Sequence, residues 1–404
     1  MNKYIGWMAL WVSGVVLTTG VSPAADWPGF RGPNRDGLAP DTGINKNWTQ
    51  KPPRLLWKES LSDNGYAGPS VSGNTLYIVD HAGNSDIVRA LDAATGKELW
   101  RYSYVDAAVN KQGFTVCTPL ISDNTVSIFS RLGKAVCLGA DSGKLIWQRD
   151  LVGEYKGSKP PWNFTTSPVL DDGKLIFCPG GTNAAMVTVE PRSGKTIWAG
   201  AGSAGVSYAS PVVATLHGRK QYLFYRVPGL CGVDPGDGRL LWEVPWETKF
   251  GGKKGPTPVL VGDRIYICST EGGSNGLIDL AGGAPKVVWE HKLMQEHFST
   301  PIYYHDRIYG SSDPKFIMCL DPQTGAVLWK ETVGTYASVI GVDDAAIFLS
   351  GSTGELIMVD ATTPSYKELG RFTPLGGQSW TAPIIAGGRL YVRNKKEIAC
   401  LDLR

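Results

Sequence analysis

The sequence predicts an all-β protein: an eight-bladed β-propeller of four-stranded antiparallel blades, closed by an N-terminal strand. Three observations predict this fold class. A turn followed by a tryptophan recurs every 40 to 51 residues, a proline-marked strand pair lies between successive turns, and a strand at each end of the propeller lacks a local partner. Four short strands at this period are typical of propeller blades. With 50 Gly and 26 Pro, the 404 residues suit many strands joined by tight turns.

The recurring turn has the form Asp-x-x-x-Gly-x-x-x-Trp and is complete in the copies that begin at Asp92, Asp234 and Asp321. The Asp carboxylate can accept hydrogen bonds from backbone N–H groups of the turn, and the Gly supplies the positive φ that a tight turn needs. The flat indole on the following strand can pack one blade against its neighbour. We therefore expect seven docking tryptophans: Trp57, Trp100, Trp147, Trp198, Trp242, Trp289 and Trp329.

The other copies of the turn are incomplete. Gly139 and Glu190 replace the Asp in two of them, and a third carries two extra residues before Trp289. In the seventh copy Asp360 remains, but a proline replaces the glycine and no tryptophan follows. Asp402 opens an eighth copy near the C-terminus. Eight copies of the turn predict eight blades.

A second signature lies between the turns. A proline preceded by Ser, Thr, Gly or Ala is followed by a short apolar run, and in most copies a turn and another apolar run come next. In the seventh blade Val339 stands in the place of the proline. These runs predict the first two strands of each blade, and two more strands flank the Asp-Gly turn. The prolines are Pro69, Pro119, Pro168, Pro211, Pro258, Pro301 and Pro383.

The eighth blade needs an outer strand that does not follow Asp402. The segment Arg54–Lys58 offers one, because Trp57 precedes Trp100 by the usual interval. We expect this segment to pair beside Ile398–Leu401, which would close the ring and remove an exposed sheet edge. The alternative is a seven-bladed ring with a loose tail.

Residues 1–25 are typical of a signal peptide, with a mostly apolar stretch at Ile5–Val16 and small residues for cleavage at the end. The alternative is a membrane anchor, but the apolar stretch is interrupted and falls short of about 20 residues. We therefore predict a periplasmic or secreted protein without a membrane span. Residues 26–53 form a turn-rich segment that we expect to be an ordered loop on one face, and residues 54–404 form the propeller.

Charge and metal-ligand patterns argue against several function classes. The formal net charge is +3 and no run of like charge exceeds a few residues, so nucleic acid is not an expected partner. His291 and His297 come nearest to a metal pattern, but their spacing fits no usual zinc site. The sequence has neither a nucleophile elbow nor a phosphate loop. We expect no metal, no catalytic residue and a monomer.

Aromatic residues recur just before the innermost strand of most blades, three to five residues ahead of the proline or of Val339. These rings would meet near one mouth of the central channel, and the loops between the second and third strands would open on the same face. Aromatic faces with a few guanidinium groups can bind an aromatic, anionic or peptide ligand. The alternative is that the rings only plug the channel. The candidate ligand-binding residues are Tyr66, Phe114, Phe164, Tyr208, Phe298, Tyr336 and Trp380, with Arg131, Arg226 and Arg393.

The copies of the turn, above all Cys-Leu-Asp321-Pro-Gln-Thr-Gly325-Ala-Val-Leu-Trp329, resemble the tryptophan-docking motif of PQQ-like (quinoprotein-type) propellers. The resemblance runs from Arg54 to the C-terminus. The opening Asp26–Gly37 is similar to the start of secreted bacterial PQQ-like repeat proteins. The resemblance implies the fold but no single function, since this superfamily includes enzymes and also non-enzymatic propellers such as the outer-membrane assembly factor BamB.

In the PQQ-dependent alcohol dehydrogenases of this superfamily, PQQ with Ca²⁺ carries the chemistry beneath an adjacent Cys-Cys pair. This chain has seven Cys, none of them adjacent, and is shorter than those enzymes. The missing Cys-Cys pair and the shorter length therefore favour a non-catalytic exported scaffold, without a cofactor, that binds a protein or a small ligand at one face, with envelope assembly as a suggested setting. The alternative is a PQQ-dependent alcohol dehydrogenase-like oxidoreductase that binds PQQ and Ca²⁺.

Overall fold

A computed structural model describes residues 26–62, 64–107, 113–203, 205–246, 254–270, 272–297, 299–312 and 315–404. The predicted signal peptide, residues 1–25, and the predicted site residue Phe298 lie outside the described residues. Within them the structure contains one short helix, α1 (Leu151–Tyr155), and otherwise strands and turns. No helix in this part of the chain has the length and apolar character needed to cross a bilayer.

The predicted fold class is confirmed: eight blades of four antiparallel strands succeed one another along the chain. Blades 1 to 7 comprise β3–β6, β7–β10, β11–β14, β15–β18, β19–β22, β23–β26 and β27–β30, and blade 8 comprises β31–β33 with β2. The strands are β1 (Leu38–Ala39), β2 (Arg54–Ser60), β3 (Ser70–Ser72), β4 (Thr75–Ala82), β5 (Ser85–Asp92), β6 (Glu98–Val105), β7 (Leu120–Ser122), β8 (Thr125–Phe129), β9 (Lys134–Gly139), β10 (Leu145–Asp150), β11 (Val169–Asp171), β12 (Lys174–Phe177), β13 (Met186–Val189), β14 (Thr196–Gly200), β15 (Val212–Leu216), β16 (Arg219–Tyr225), β17 (Gly229–Val233), β18 (Leu240–Pro245), β19 (Val259–Val261), β20 (Arg264–Cys268), β21 (Asn275–Asp279), β22 (Lys286–His291), β23 (Ile302–Tyr304), β24 (Arg307–Ser312), β25 (Phe316–Leu320), β26 (Val327–Thr332), β27 (Ser338–Val342), β28 (Ala345–Leu349), β29 (Leu356–Asp360), β30 (Glu368–Phe372), β31 (Ile384–Ala386), β32 (Arg389–Arg393) and β33 (Glu397–Asp402).

The core lies between the blades. Strands in the middle of a blade are covered on both faces by neighbouring blades, so β8 and β17 are buried at every residue. The outer strand β6 instead alternates between exposed and half-buried positions along most of its length. First strands of neighbouring blades, such as β3 and β7, contact each other around the central channel.

The ring closes as predicted. Strand β2 pairs antiparallel with β33, with Trp57 opposite Cys400, so the N-terminal strand is the outer strand of blade 8. A bulge between Leu55 and Trp57 interrupts the register, and Trp100 follows the same kind of bulge in blade 1. With β2 as its fourth strand, blade 8 is complete, and the ring is closed by hydrogen bonds between strands.

The docking tryptophans have a repeated geometry. Trp100 Nε1 donates to the carbonyl oxygen of Ala140 in the next blade at 2.8 Å, and the indole covers Gly143 of that blade's turn. Gly143 has a φ of +65°, and a Cβ placed on it would lie 2.5 Å from the Trp100 ring. The glycine therefore serves both the turn and the close approach of the indole. The equivalent Nε1–oxygen pairs are Trp57–Ala93, Trp147–Pro191, Trp198–Pro235 and Trp289–Pro322.

Two of the predicted docking tryptophans depart from this hydrogen-bond pattern. Trp242 Nε1 donates to Gln221 Oε1 of its own blade at 2.7 Å, and the neighbouring turn is the one with the two-residue insertion. Trp329 Nε1 has no acceptor among the described residues. The carbonyl of Ala361, its expected acceptor, accepts hydrogen bonds from the Tyr309 hydroxyl at 3.1 Å and from Arg307 Nη1 at 3.0 Å.

The missing tryptophan of blade 7 is replaced from the N-terminal segment. Gly370 faces Met358 in the register that Trp329 occupies in blade 6, and a Cβ on Gly370 would lie 2.7 Å from Trp48 Cβ. Trp48 is fully buried and packs edge-on against Phe372, with 5.3 Å between ring centroids. Gly370 therefore leaves room for the backbone and Cβ of Trp48, which arrives from a distant part of the chain.

The same segment also supplies the missing hydrogen bond of this docking site. In five other blades the indole N–H reaches the residue after the turn-opening Asp or its equivalent, which in blade 8 is Leu403. The carbonyl of Leu403 accepts the backbone N–H of Asn45 at 2.6 Å. Blades 7 and 8 are thus joined by a segment from the other end of the chain.

Gly143→Ala should lower the free energy of unfolding by about 3 kcal/mol, because the new methyl group must displace the Trp100 indole in addition to straining a left-handed residue. Gly173→Ala is the matched control. Its φ of +69° is similar, but a Cβ there would meet nothing within 4 Å, so only about 1–2 kcal/mol of backbone strain is expected. Urea unfolding measures both variants, and equal losses would contradict the stated role of the indole.

Candidate functional site

The N-terminal cap, residues 26–39, crosses one end of the central channel. The backbone of Trp27 exchanges two hydrogen bonds with Val71 of β3, and Pro28 accepts the N–H of Ile121. On the far side, β1 pairs in parallel with β27 of blade 7, so that blade gains a fifth, two-residue strand. These contacts fall at or near the ends of the innermost strands. The aromatic residues three places before the prolines lie toward the opposite end of the channel.

Arg31 fastens the cap to blade 6. Its Nη1 and Nη2 donate to the carbonyls of Thr300 and Pro301 at 3.2 and 3.0 Å, while Nε and Nη2 also bind carbonyls of Arg35 and Asp36 within the cap. Burial lowers the pKa of the Arg31 guanidinium to about 10, with the Asp36 charge acting in the opposite direction, so the group is cationic at neutral pH. The cap is therefore held by a buried cation.

With one end capped, the channel forms a cavity of about 530 Å³, which we call the cup. Trp27, Phe30 and Arg31 of the cap form its floor. Ser and Thr residues around the innermost strands form much of its wall, and aromatic residues form its mouth. A volume of this size is typical of small-molecule sites, which fall at about 300–1,000 Å³.

Aromatic contacts run around the mouth of the cup and across it. Tyr66 stacks on Trp380 with 5.0 Å between ring centroids, and Trp162 stacks on Tyr208 at 5.6 Å. The Trp162 ring also lies 6.4 Å from His297, although these residues precede the innermost strands of blades 3 and 6. The mouth thus offers aromatic surface from several blades. Its rings are Tyr66, Trp162, Tyr208, His297, Tyr336 and Trp380.

The hydroxyl groups of the wall link neighbouring blades. Ser167 Oγ accepts the backbone N–H of Thr118 at 3.0 Å, and Ser210 Oγ accepts that of Ser167 at 2.9 Å. Thr300 Oγ1 accepts the N–H of Thr257 at 3.0 Å. Each of these residues directly precedes the proline of its blade. The recurring Ser or Thr therefore satisfies a buried N–H of the preceding blade while facing the cup.

Arg131 lies at the wall near the mouth. Its Nη2 donates to the carbonyl of Trp162 at 2.6 Å and its Nη1 to the carbonyl of Gly113, so this side chain fixes the loop that carries the Trp162 ring. Burial lowers the pKa of Arg131 to about 10, while the charges of Asp106 and Asp86 act in the opposite direction. The cup is thus bordered by two cations, Arg31 and Arg131.

Four of the predicted aromatic residues line the cup: Tyr66, Tyr208, Tyr336 and Trp380. Each stands three residues before the proline or Val339. Phe164 and Phe114 stand four and five residues before it, and neither is among the residues that line the cup. Phe164 instead packs on Phe129 at 5.2 Å between ring centroids, and Phe114 stacks on His81 at 4.3 Å. Phe298 lies outside the described residues.

Of the predicted arginines, Arg131 lines the cup and the other two do not. Arg226 is buried against Glu243, with Nη2 and Oε1 2.7 Å apart. Arg393 is buried too, and its Nη1 donates to the carbonyl of Ala67 at 2.9 Å. The loops between the second and third strands do reach the mouth face, since Arg131 bonds the Trp162 loop and Arg393 bonds Ala67. Arg226 is thus paired with the outer strand of its own blade, and Arg393 links two loops.

Sequence reasoning missed several residues of the cup. Trp162 and His297 lie outside the aromatic repeat, and the capping residues Trp27 and Arg31 belong to the segment predicted as an ordered loop on one face, in which no site residue was predicted. The wall hydroxyls carried a signal, because Ser or Thr before the proline recurs in most blades. That recurrence was noted as a strand marker rather than as a lining for the channel.

Curated relatives are similar to this chain at low identity. The outer membrane protein assembly factor BamB of Moranella endobia (strain PCIT) is 22% identical over 282 residues, which cover 66% of this chain and 69% of that protein. The quinoprotein alcohol dehydrogenase PedH of Pseudomonas putida is 26% identical over 160 residues, 36% of this chain and only 25% of that protein. The chain therefore spans a quarter of the length of that enzyme.

The crystal structure of BamB from Moraxella catarrhalis superposes with a TM-score of 0.64 and 17% identity, covering 87% of this chain and 99% of that one. At this identity the superposition shows the fold alone. A profile of the family described as outer membrane protein assembly factor BamB matches residues 45–102, 84–331 and 317–404, which together span the whole propeller. The chain belongs to this PQQ-like propeller family.

Proposed function

We propose that this chain is a non-catalytic, exported scaffold that holds a small ligand in its cup, with envelope assembly as its setting. One observation carries the proposal: a segment of the chain seals one end of the channel and leaves about 530 Å³ open beneath an aromatic mouth. A segment that served only to stabilise the ring could have filled this space. The BamB relatives, which carry the name of assembly factors, support the setting and a partner protein at one face.

PQQ with Ca²⁺, the cofactor pair of the alternative function, does not fit this cup. Ca²⁺ takes about six to eight oxygen ligands, commonly including carboxylates. The described residues that line the cup include no Asp or Glu. No group of three or more His, Cys, Asp and Glu side chains in the described part of the chain could hold a metal ion. We derive no redox step, and alcohol oxidation by purified protein supplied with PQQ, Ca²⁺ and a dye acceptor would overturn the proposal.

A cup-filling variant tests the proposal. Ala382 is exposed on the wall of the cup, so Ala382→Trp should occupy the space that a ligand would use. Protein purified from its native envelope and then denatured should release a small molecule that mass spectrometry detects, and Ala382→Trp should release about tenfold less. Ala326→Trp, at an exposed turn position before β26, is the control and should retain the ligand.

The comparison has a clear negative outcome. If the unaltered protein, Ala382→Trp and Ala326→Trp release the same small molecules in the same amounts, the cup holds no ligand. Release of nothing by the unaltered protein would have the same meaning. In either case the aromatic rings would serve only to close the channel and pack blade against blade.

A further inference from the structure

Blade 1 carries a buried histidine–aspartate pair at the mouth end of its strands. His81 of β4 and Asp86 of β5 stand opposite each other in the sheet, and each residue is only 2% exposed. His81 Nδ1 lies 2.8 Å from Asp86 Oδ1, and Asp86 Oδ2 accepts the Tyr104 hydroxyl at 2.9 Å. Because the pair is shielded from solvent, its hydrogen bonds decide how many protons it holds.

The second nitrogen of the histidine ring also faces an acceptor. His81 Nε2 lies 2.9 Å from the carbonyl oxygen of Gly83, in the turn that joins β4 to β5. A neutral imidazole has one N–H and one lone pair, so it would point its lone pair either at this carbonyl or at the Asp86 carboxylate. An imidazolium donates to both oxygens. The two contacts are therefore satisfied together by a ring that carries two protons.

The groups in direct contact with the pair agree with a charged ring. Phe114 stacks on the His81 ring, with 4.3 Å between centroids and 7° between planes, and an aromatic face attracts a cation. Burial raises the pKa of the Asp86 carboxyl, while the hydrogen bonds from His81 and Tyr104 act in the opposite direction. The imidazole is the more basic partner, so the proton belongs on the ring.

Ionisable groups on the neighbouring elements surround the pair. Burial raises the pKa of the Tyr104 hydroxyl well above its ordinary value and that of the Cys117 thiol to about 12, so both stay protonated near neutral pH. In the part of the chain that the structure describes, no guanidinium forms an ion pair with Asp86, and His81 is its cationic partner. The charged groups that face the pair are Asp80 with Arg89, Asp106, Arg131 and Arg393.

The histidine ring supports part of the wall of the cup. The wall segment, residues 113–118, contains two residues that line the cup, Val116 and Thr118. Its Phe114 ring lies on the His81 ring. The carbonyl of Thr115 in the same segment accepts the N–H of Tyr66, one of the rings of the mouth, at 2.6 Å. A movement of His81 would therefore reach both the wall and the mouth.

We infer that a proton held between His81 and Asp86 fastens the wall segment, and that loss of this proton above neutral pH loosens the cup. The inference does not depend on a ligand in the cup, because it concerns only how the wall is held. Removal of the proton leaves a lone pair facing an oxygen atom, a buried contact that is costly to keep. The Gly83 turn and the Phe114 ring then separate to relieve it.

The direction of the pH dependence follows from where each state of the chain loses the proton. An unfolded chain releases the second imidazole proton near about pH 6.5, whereas the folded pair keeps it to higher pH. The stabilisation is therefore complete below about pH 6.5 and is lost as the pH rises through the value at which the folded pair releases its proton.

Nitrogen NMR of the histidine rings measures the proton directly. The His81 ring can be identified in the unaltered protein by its proximity to the Phe114 ring. We expect it to give the signals of an imidazolium at about pH 7.5, where an unperturbed imidazole is about 90% neutral. Signals of a neutral ring at that pH would overturn the inference.

Asp86→Asn should remove the pH dependence and keep the fold. The amide can donate to Nδ1 of a neutral His81 and accept the Tyr104 hydroxyl, while Nε2–H still donates to Gly83, so every contact is kept without the second proton. At about pH 8.5 the Phe114 amide should exchange with deuterium about tenfold faster in the unaltered protein than in Asp86→Asn. At about pH 6 the two proteins should exchange at similar rates.

Asp344→Asn is the matched control. Asp344 also pairs with a histidine, His305, but at the surface, with 3.0 Å between Oδ1 and Nε2. This variant should exchange the Phe114 amide as fast as the unaltered protein at both pH values, and comparison at one pH cancels the intrinsic pH dependence of exchange. Equal rates in all three proteins at about pH 8.5 would show that the wall segment is held without the proton.

Discussion

Replacing Trp48 with alanine should lower the free energy of unfolding by about 3–5 kcal/mol, the usual cost of emptying a buried tryptophan site. Trp48 is fully buried, its ring packs against Phe372, and its Cβ lies against Gly370 on the outer strand of blade 7. Blade 7 has Gly370 where blade 6 has its docking tryptophan, so it lacks a docking tryptophan of its own. The cavity would open at the junction where the ends of the propeller meet.

Chemical denaturation measures this loss, and Trp162→Ala provides the control with the same change of residue. Trp162 is only half-buried at the mouth of the cup, so its replacement should cost less than Trp48→Ala. Trp48→Phe should restore most of the stability, since the Trp48 Nε1 has no hydrogen-bond partner among the described residues. Equal stability of Trp48→Ala and Trp162→Ala would contradict a docking role for the N-terminal tryptophan.

Arg31→Met should lower the free energy of unfolding by about 3 kcal/mol or more, because buried carbonyls of Arg35, Asp36, Thr300 and Pro301 lose their donor. The change should also release the cap. We expect protease cleavage within residues 26–39 under conditions in which the unaltered protein is resistant, since local opening exposes the backbone. Arg31→Lys should recover little, because an ammonium group cannot reach carbonyls on both sides of a planar guanidinium.

Arg239→Met is the control for this experiment. Arg239 is exposed and pairs with Asp234 and Asp237 at the surface, where ion pairs contribute little to stability. Its replacement should leave both the unfolding curve and the protease resistance of the cap nearly unchanged. An Arg31→Met protein as stable and as resistant as Arg239→Met would show that the cap is held by its backbone contacts alone.

Comparison of the turns shows how far the repeat could be interpreted from sequence. In the complete copies the Asp accepts hydrogen bonds from the turn, the Gly adopts the positive φ, and the Trp on the next strand packs against the neighbouring blade. These interactions involve only one blade and its neighbour. The residues that make them therefore recur at a fixed interval in the sequence. Trp57 precedes Trp100 by the spacing seen between the other docking tryptophans, so the pairing of β2 with β33 was predictable.

The compensation in blade 7 was not predictable in this way. Gly370 marks the place where the periodic tryptophan is absent, but nothing near it in sequence indicates that Trp48 fills the gap from more than 300 residues away. The hydrogen bond from Asn45 to Leu403 is equally non-local. A sequence period predicts the contacts that recur between neighbouring blades. It cannot predict a contact that occurs only once in the molecule.

Some residues of the candidate site could be predicted from the repeat, and others could not. Aromatic residues three places before the proline could be expected at the mouth, because a fixed offset from a strand start fixes the face on which a side chain lies. At an offset of four residues Phe164 is buried against Phe129, and at an offset of five Phe114 is half-buried and stacks on His81. The use of Arg226 and Arg393 between loops also depends on partners that no repeat specifies.

The number of blades, their strands, the docking tryptophans and the closing strand could be predicted from the sequence, because each follows from interactions that recur at one period. The capped cup is visible only in the folded chain. That outcome depends on a single crossing of the N-terminal segment, held by the buried Arg31 guanidinium against carbonyls of blade 6. A unique long-range contact leaves no periodic trace, since its partners are brought together only when the ring has closed.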